Sequence, residues 1–169
     1  MQVSKQQKHE NQSITGTNVW TFSLQLGIFA GLIWGGARGL MYFLRLTTIV
    51  PGYLAEPFFK TQFLKTQAGY YVGWLFFILF SIVAAVLYTL LFRRLKGPYP
   101  GIVYGIFWWL ITFLVVGPIL GMTKKISALP TDTVISEFCL YLLWGLFIGY
   151  TAAMEYTDER RREPEKALQ

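Results

Sequence analysis

The sequence predicts an all-α integral membrane protein built as a bundle of four transmembrane helices, and three observations support this. Hydrophobic residues make up 54% of the 169 residues and charged residues only 14%, whereas a soluble domain carries about 25% charged residues. The charges are confined to short stretches between apolar runs that are long enough to cross a bilayer. Small residues recur every four positions inside these runs, which is typical of helices that pack closely in lipid.

The polar ends of the chain are predicted to lie outside the membrane. Residues 1–18 are rich in Gln, Asn, Ser and Lys and are expected to form a disordered cytoplasmic tail. No signal peptide is expected, because the first apolar run is far longer than a signal-peptide core and lacks a small-residue cleavage site. Residues 157–169 are expected to form a second, charged cytoplasmic tail after the transmembrane domain, residues 19–156.

The four spans are predicted at residues 20–44, 69–92, 101–120 and 134–154. A helix that rises 1.5 Å per residue needs about 20 residues to cross about 30 Å of hydrocarbon, and each run meets this length. Residues 97–101, Gly-Pro-Tyr-Pro-Gly, predict a tight turn and therefore a close hairpin of the second and third spans. Residues 45–68 are longer. Pro57, Phe59 and Phe63 favour either an amphipathic segment on the membrane surface or an outward extension of the second span.

The distribution of Lys and Arg predicts that both termini are cytoplasmic. Nine of these residues lie in the two tails and the connection between the second and third spans, and five lie in the other two connections, with Arg38 as the fifteenth. Cytoplasmic loops carry the excess of positive charge in membrane proteins. A multi-pass membrane protein with both termini in the cytoplasm is therefore expected, with the lipid bilayer as its first partner.

The first span carries a stripe of small residues on one helical face, which consists of Ser23, Gly27, Gly31, Gly35 and Gly39. The fourth span carries a similar stripe, Gly145, Gly149 and Ala153. Because these two spans are antiparallel, matching their depths places Gly31 opposite Gly145 and Ser23 opposite Ala153. The stripes therefore predict a close seam between the first and fourth spans.

Arg38 is the one charge well inside the predicted lipid depth, about two turns from the end of its span. A charge at this depth is costly and marks a partner or a site. The same depth matching places Glu137 beside Gly39, so a buried Arg38–Glu137 ion pair is predicted, with Glu56 as an alternative partner. Two other interpretations remain open: Arg38 extends to the lipid headgroups, or the pair forms a solute- or anion-binding site.

The residue types argue against catalysis and cofactor binding. His9 is the only histidine and Cys139 the only cysteine, which excludes a metal site of these ligands. Cys139 is expected to be a small buried hydrophobe. No nucleophile–base pair and no phosphate-binding loop are present, and no basic soluble element offers a nucleic-acid face. We predict a non-enzymatic protein without cofactors and without nucleic-acid partners.

Two stretches carry a family resemblance. Residues 34–39, Trp-Gly-Gly-Ala-Arg-Gly, run on to Pro51 and Gly52, and residues 93–101 read Arg-Arg-Leu-Lys-Gly-Pro-Tyr-Pro-Gly. The chain, apart from its tails, resembles the YqhR family of small conserved membrane proteins from spore-forming Gram-positive bacteria. The resemblance implies a bacterial cytoplasmic membrane and a compact multi-span bundle, and it carries over no catalytic residue.

Two functions are compatible with these features. The first is contact with a second copy or another membrane protein through helix packing, because the second and third spans also carry small-residue faces that a four-helix bundle need not use. The alternative is a small oligomeric solute channel or transporter that uses the region of Arg38 and Glu137. A discontinuous helix would favour the alternative, and Pro118 is the one sign of such a break.

Overall fold

The computed structural model describes residues 18–92, 95 and 97–156 of the chain. Four helices are long and apolar enough to cross a membrane: α1 (Val19–Phe43), α2 (Gln67–Phe92), α3 (Tyr99–Leu120) and α4 (Thr131–Tyr156). The described residues contain no strand, so the predicted fold class, an all-α membrane bundle, is confirmed. Each helix begins and ends within three residues of the predicted span. The predicted tails lie outside the described residues, except for Asn18, which caps α1.

The bundle has two distinct ends. The ring of Phe22, near the start of α1, lies 5.3 Å from the ring of Tyr156 at the end of α4. We call this the termini end. The connection of residues 44–66 and the connection of residues 121–130 lie at the opposite end, which we call the loop end. All statements about depth below refer to these two ends.

The small-residue stripe of α1 packs on α2, so the predicted seam between the first and fourth spans is wrong. A methyl group on Gly31 would lie 2.5 Å from the Cα of Ile78, and one on Gly27 would lie 2.9 Å from the backbone nitrogen of Ile82. The Ser23 hydroxyl is hydrogen-bonded to the Thr89 hydroxyl. Depth matching cannot choose between α2 and α4, because both are antiparallel to α1 and offer residues at every depth.

Nearer the loop end the same α1 stripe accommodates aromatic rings of α2. The indole ring of Trp74 packs over Gly35 and donates hydrogen bonds to the carbonyl oxygens of Gly31, at 3.3 Å, and Leu32, at 3.2 Å. The ring of Tyr70 packs directly over Gly39. Because the residues of the stripe have small side chains or none, α2 approaches α1 closely along its whole length.

The stripe of α4 packs on α3 rather than on α1. A methyl group on Gly145 would lie 2.6 Å from the carbonyl oxygen of Gly101, and one on Gly149 would lie 2.8 Å from the nitrogen of Gly101. Gly105 is in close contact with the backbone of Tyr141, and Ala153 is buried farther along α4. The glycines of α3 face the glycines of α4, so the backbones of these two helices are in direct contact. The bundle thus consists of two closely packed pairs, α1 with α2 and α3 with α4.

Large aromatic side chains separate α2 from α3. The predicted close hairpin of the second and third spans is wrong, because aromatic rings lie between α2 and α3 and residues 99–101 of the predicted turn already form the start of α3. Phe80 and Trp108 have ring centroids 4.9 Å apart, and Tyr104 donates a hydrogen bond of 2.7 Å to the Ala84 carbonyl. Trp144 of α4 is fully buried at the centre. The two pairs therefore meet through aromatic rings between α2 and α3 and through closer contact between α1 and α4.

The first connection, residues 44–66, enters the loop end of the bundle. Gly52 lies against α2, where a methyl group on Gly73 would come within 2.6 Å of the Gly52 nitrogen. Tyr53, Ala55 and Leu64 are buried. Residues 57–63 are exposed and the rings of Phe59 and Phe63 stack at 5.5 Å, so the predicted surface segment stays a prediction for this part of the connection. The predicted extension of the second span is wrong, because α2 begins at Gln67 and only a separate 3-10 turn, Tyr53–Ala55, and a separate α-helical turn, Thr61–Leu64, precede it.

Candidate functional site

Arg38 and Glu137 form a buried ion pair that joins the two helix pairs. Nη2 of Arg38 in α1 lies 2.5 Å from Oε2 of Glu137 in α4, and the side chains are 1% and 0% exposed. Burial of the guanidinium means that it does not reach the lipid headgroups. Glu56, the alternative partner, lies instead in the first connection near Thr61 and Lys65. Removing two charges from water is expensive, and the attraction between them offsets this only with good geometry and further hydrogen bonds.

Three aromatic rings surround the guanidinium of Arg38. Its Cζ lies 4.5 Å from the ring centroid of Tyr53, 5.2 Å from that of Phe77 and 5.5 Å from that of Tyr141. The negative faces of aromatic rings attract a cation most strongly when water is excluded. The hydroxyls of Tyr53 and Tyr141 are hydrogen-bonded to each other. The rings come from the first connection, α2 and α4, so this aromatic cage depends on the assembled bundle.

The first connection also holds the carboxylate of Glu137. The Thr47 hydroxyl donates a 2.8 Å hydrogen bond to Oε1 of Glu137 and accepts one of 3.2 Å from the backbone N–H of Ile49. One residue farther along, the backbone N–H of Thr48 donates to the Thr133 hydroxyl at 3.1 Å. These bonds fasten residues 47–49 to α4 directly above the ion pair.

The guanidinium keeps part of its hydrogen-bonding capacity unused. Within the described part of the chain, the buried atoms Nε and Nη1 of Arg38 have no hydrogen-bond partner. Buried donors of a charged group are costly to leave unpaired. The aromatic faces compensate for some of this cost, but they do not replace directed acceptors. The site therefore has capacity for an additional acceptor.

A cleft of about 370 Å³ lies at the loop end above the aromatic cage. Its lining includes Tyr53, the charged side chains of Glu56 and Lys124, and the hydroxyl groups of Thr48 and Thr123. The Thr123 hydroxyl is buried and has no partner among the described residues. Tyr53 thus lines the cleft, and its ring also covers Arg38.

Burial shifts the ionisation of two groups at this cleft. It raises the pKa of the Glu56 carboxyl, whereas a hydrogen bond from Thr61 and the positive charge of Lys65 act in the opposite direction. Burial also raises the pKa of the Tyr53 phenol well above its ordinary value. Tyr53 is therefore a neutral hydrogen-bonding group, and the charge of the cleft comes from Glu56 and Lys124.

Helix α3 is interrupted at the depth of the aromatic cage. Residues Ile111–Val116 form a π-helical segment immediately before Gly117 and Pro118. Proline has no N–H and its ring clashes with the carbonyl four residues earlier, and widening of the preceding turn relieves this clash. Phe113 of the segment stacks on Tyr53 at 6.1 Å and meets the edge of Tyr141 at 5.9 Å. The irregular turn therefore supports the cage directly.

Metal binding has no support in the described residues, where no group of three or more His, Cys, Asp or Glu side chains could hold an ion. Cys139 is exposed on α4, and the expectation that it is buried is wrong. Its neighbours Glu137, Leu140 and Tyr141 are buried, so it lies on the other face of the helix. The cage residues Tyr53, Phe77 and Tyr141 were not predicted, because nothing distinguishes them from the many other aromatic residues of the chain.

Comparison with known proteins identifies relatives over most of the chain. The family described as Conserved membrane protein YqhR matches residues 3–167, so the match extends into both tails. The chain is 34% identical over 142 residues to the protein named Uncharacterized protein YqhR from Bacillus subtilis strain 168, which covers 84% of this chain and 80% of that relative. No solved structure matches significantly. The chain therefore belongs to the YqhR family of conserved membrane proteins.

Proposed function

We propose that this protein is a non-enzymatic membrane protein that binds a small polar solute at the loop end. One observation carries this proposal: Tyr53 lines a cleft that bears charges of both signs and at the same time covers a buried arginine with unpaired donors. Ionisable groups at membrane depth mark substrate or ion sites in many membrane proteins. The π-helical turn of α3, which packs on the same Tyr53, is a second feature that is frequent at functional sites.

The chemistry of the cleft favours a zwitterionic solute. Glu56 offers a negative charge and Lys124 a positive charge, and the exposed Thr48 side chain adds a hydroxyl group. A cavity of this size suits a molecule no larger than an amino acid or a short peptide. Neither charge is accompanied by a nucleophile–base pair, so binding rather than catalysis is proposed.

Contact with a second copy or another membrane protein is the competing proposal. It depends on unused small-residue faces, but the glycines of α1, α3 and α4 other than Gly36 and Gly121 are in close contact inside the bundle, and Gly73 of α2 is covered by Gly52. The solute proposal therefore has the stronger structural support. A mass measurement of the wild-type protein in lipid nanodiscs separates the two, because solute binding by one bundle requires only a monomer.

We further propose that the cleft opens to the outside of a bacterial cell. The excess of Lys and Arg at the termini end favours cytoplasmic termini in the cytoplasmic membrane. With this orientation the loop end is exposed to the extracellular solution. A solute that reaches the cleft then approaches Arg38 by displacing Tyr53, and the hydrogen bonds of Thr47 and Thr48 to α4 resist that movement.

Cysteine accessibility tests whether the site opens. In a Cys139→Ser background, an Ile49→Cys variant places a thiol at a position that lines the cleft and is only 6% exposed. We expect a membrane-impermeant methanethiosulfonate reagent to label this thiol slowly, through transient opening of the cleft. Glycine or glutamate, added as zwitterionic probes, should slow labelling severalfold, whereas acetate and choline should not.

Two control variants make the accessibility result interpretable. Ser81→Cys is fully buried at the centre of the bundle and should stay unlabelled, and Phe58→Cys is 73% exposed and should react at once. Labelling of both Ile49→Cys and Ser81→Cys would indicate general unfolding. If Ile49→Cys is as inert as Ser81→Cys, the cleft does not open and the solute proposal is wrong.

A further inference from the structure

A second cavity lies at the loop end on the outside of the α1–α2 pair. It is a groove of about 960 Å³ between the end of α1 and the start of α2, and its lining includes Tyr42, Arg45 and Tyr70 beside the apolar residues Leu40 and Phe43. Along α1 the lining changes from Gly36, Gly39 and Leu40, which lie deeper in the span, to Tyr42, Phe43 and Arg45 at the helix end. This arrangement matches the boundary between acyl chains and headgroups, where amphipathic aromatic residues are also enriched.

The groove has an unbalanced positive charge. None of the described residues that line it is acidic, and the only ion pair in the described part of the chain is Arg38–Glu137. The Arg45 guanidinium is exposed and has no acidic partner among the described residues. Tyr42 and Tyr70 add two phenol groups as potential donors. An anion at this position would receive both a charge partner and hydrogen bonds.

The backbone of Arg45, which lines the groove, has an unfavourable conformation for a residue other than glycine. It is the one described residue other than glycine with a positive φ, at 59°. It ends α1 in a Schellman motif, with its N–H bonded to the Tyr42 carbonyl at 3.1 Å and the Leu46 N–H bonded to the Met41 carbonyl at 2.9 Å. Glycine is favoured at such a position because it has no Cβ. The presence of arginine at this position indicates that its side chain has a function that compensates for the unfavourable backbone conformation.

We propose that this groove binds the headgroup of one anionic phospholipid. The phosphate would lie against Arg45 and the tyrosine hydroxyls, and the acyl chains would extend along Leu40 and Phe43 towards the hydrocarbon. The apolar wall favours a membrane lipid over free phosphate, because inorganic phosphate would leave that wall without a partner. This site adjoins the cleft above Arg38, because Thr48 lines both, but the proposal does not depend on which leaflet contains the loop end.

Lipid retention tests this proposal. Wild-type protein is reconstituted into nanodiscs of phosphatidylcholine mixed with phosphatidylglycerol, released into mild detergent and examined by native mass spectrometry. We expect one phosphatidylglycerol to remain bound. In Arg45→Gly the affinity should fall about fivefold or more, as expected for loss of one arginine near a lipid phosphate. Thermal stability should be unchanged or higher, because glycine relieves the strained backbone.

Two control variants and a phosphate competitor test whether the Arg45 guanidinium holds the lipid. Lys60→Gln removes one positive charge from the same connection outside the groove and should retain the lipid like wild type. Arg45→Gln keeps a side chain at the strained position, so its loss of lipid would assign the effect to the guanidinium. Equal retention by wild type and Arg45→Gln, or equal loss in Lys60→Gln, would overturn the proposal. Displacement of the lipid by millimolar inorganic phosphate would also overturn it, by assigning the site to a free anion.

Discussion

Replacing Glu137 with glutamine is expected to lower the free energy of unfolding by about 3–5 kcal/mol, which is typical when one partner of a buried ion pair is removed. The glutamine can still accept the hydrogen bond from Thr47, but it leaves the Arg38 guanidinium as an uncompensated charge among three aromatic rings. Arginine cannot lose its proton in a protein. The variant is compared with wild type by denaturant unfolding in the same detergent.

Removing the other partner by Arg38→Met should lower the free energy of unfolding by less than Glu137→Gln does. An isolated buried carboxyl can neutralise itself by taking up a proton, whereas a guanidinium cannot. The double variant Arg38→Met/Glu137→Leu should recover most of the stability, because apolar residues of similar size often replace a buried pair without loss. Additive losses in the double variant would show that the two side chains do not interact.

The second large effect is expected for alanine at the glycines inside the helix pairs. Gly31→Ala places a methyl group 2.5 Å from the Cα of Ile78, and Gly145→Ala places one 2.6 Å from the Gly101 carbonyl oxygen. Backbone atoms cannot rotate away, so the helices must separate. We expect a loss of about 1–3 kcal/mol or more for each variant, the range for overpacked cores, measured by thermal unfolding in nanodiscs.

Gly36→Ala is the matched control on α1. Its added methyl group would lie 3.5 Å from Cζ2 of Trp74, which is ordinary contact. Because alanine favours a helix more than glycine by about 1 kcal/mol, this variant should be neutral or slightly stabilising. Equal destabilisation at Gly31 and Gly36 would mean that α1 does not pack on α2 through the stripe.

The sequence predicts the number and depth of the helices well, because both depend on local properties of the chain. Apolar runs give the spans, and depth counted from the helix ends brings Arg38 and Glu137 to the same level. Which helices pack against each other, in contrast, does not depend on local properties of the chain. A glycine such as Gly31 can pack against any antiparallel helix. It packs on α2 because its stripe fits Ile78 and Ile82, while the stripe of α4 fits Gly101 and Gly105 of α3.

The aromatic cage shows a second limit of sequence reasoning. Aromatic residues make up 18% of the chain and occur throughout the spans, so composition alone cannot select Tyr53, Phe77 and Tyr141. Tyr53 also lies in a connection with no strong periodic pattern. It reaches the core because Gly52 and Gly73 let two backbones come into contact, and this long-range fit has no signature in a single sequence.

The ion pair has a consequence for how the protein is made. Glu137 lies 99 residues after Arg38 in the chain, which corresponds to roughly 5–20 s of synthesis at about 5–20 residues per second. During that interval α1 and α2 can already associate through their stripe, but the guanidinium has no counter-charge from α4. Arg38 lies only five residues from the end of α1, close enough for its long side chain to reach the membrane surface. Nascent chains would therefore hold this arginine at the lipid–water boundary first and draw it inward only when the last helix arrives.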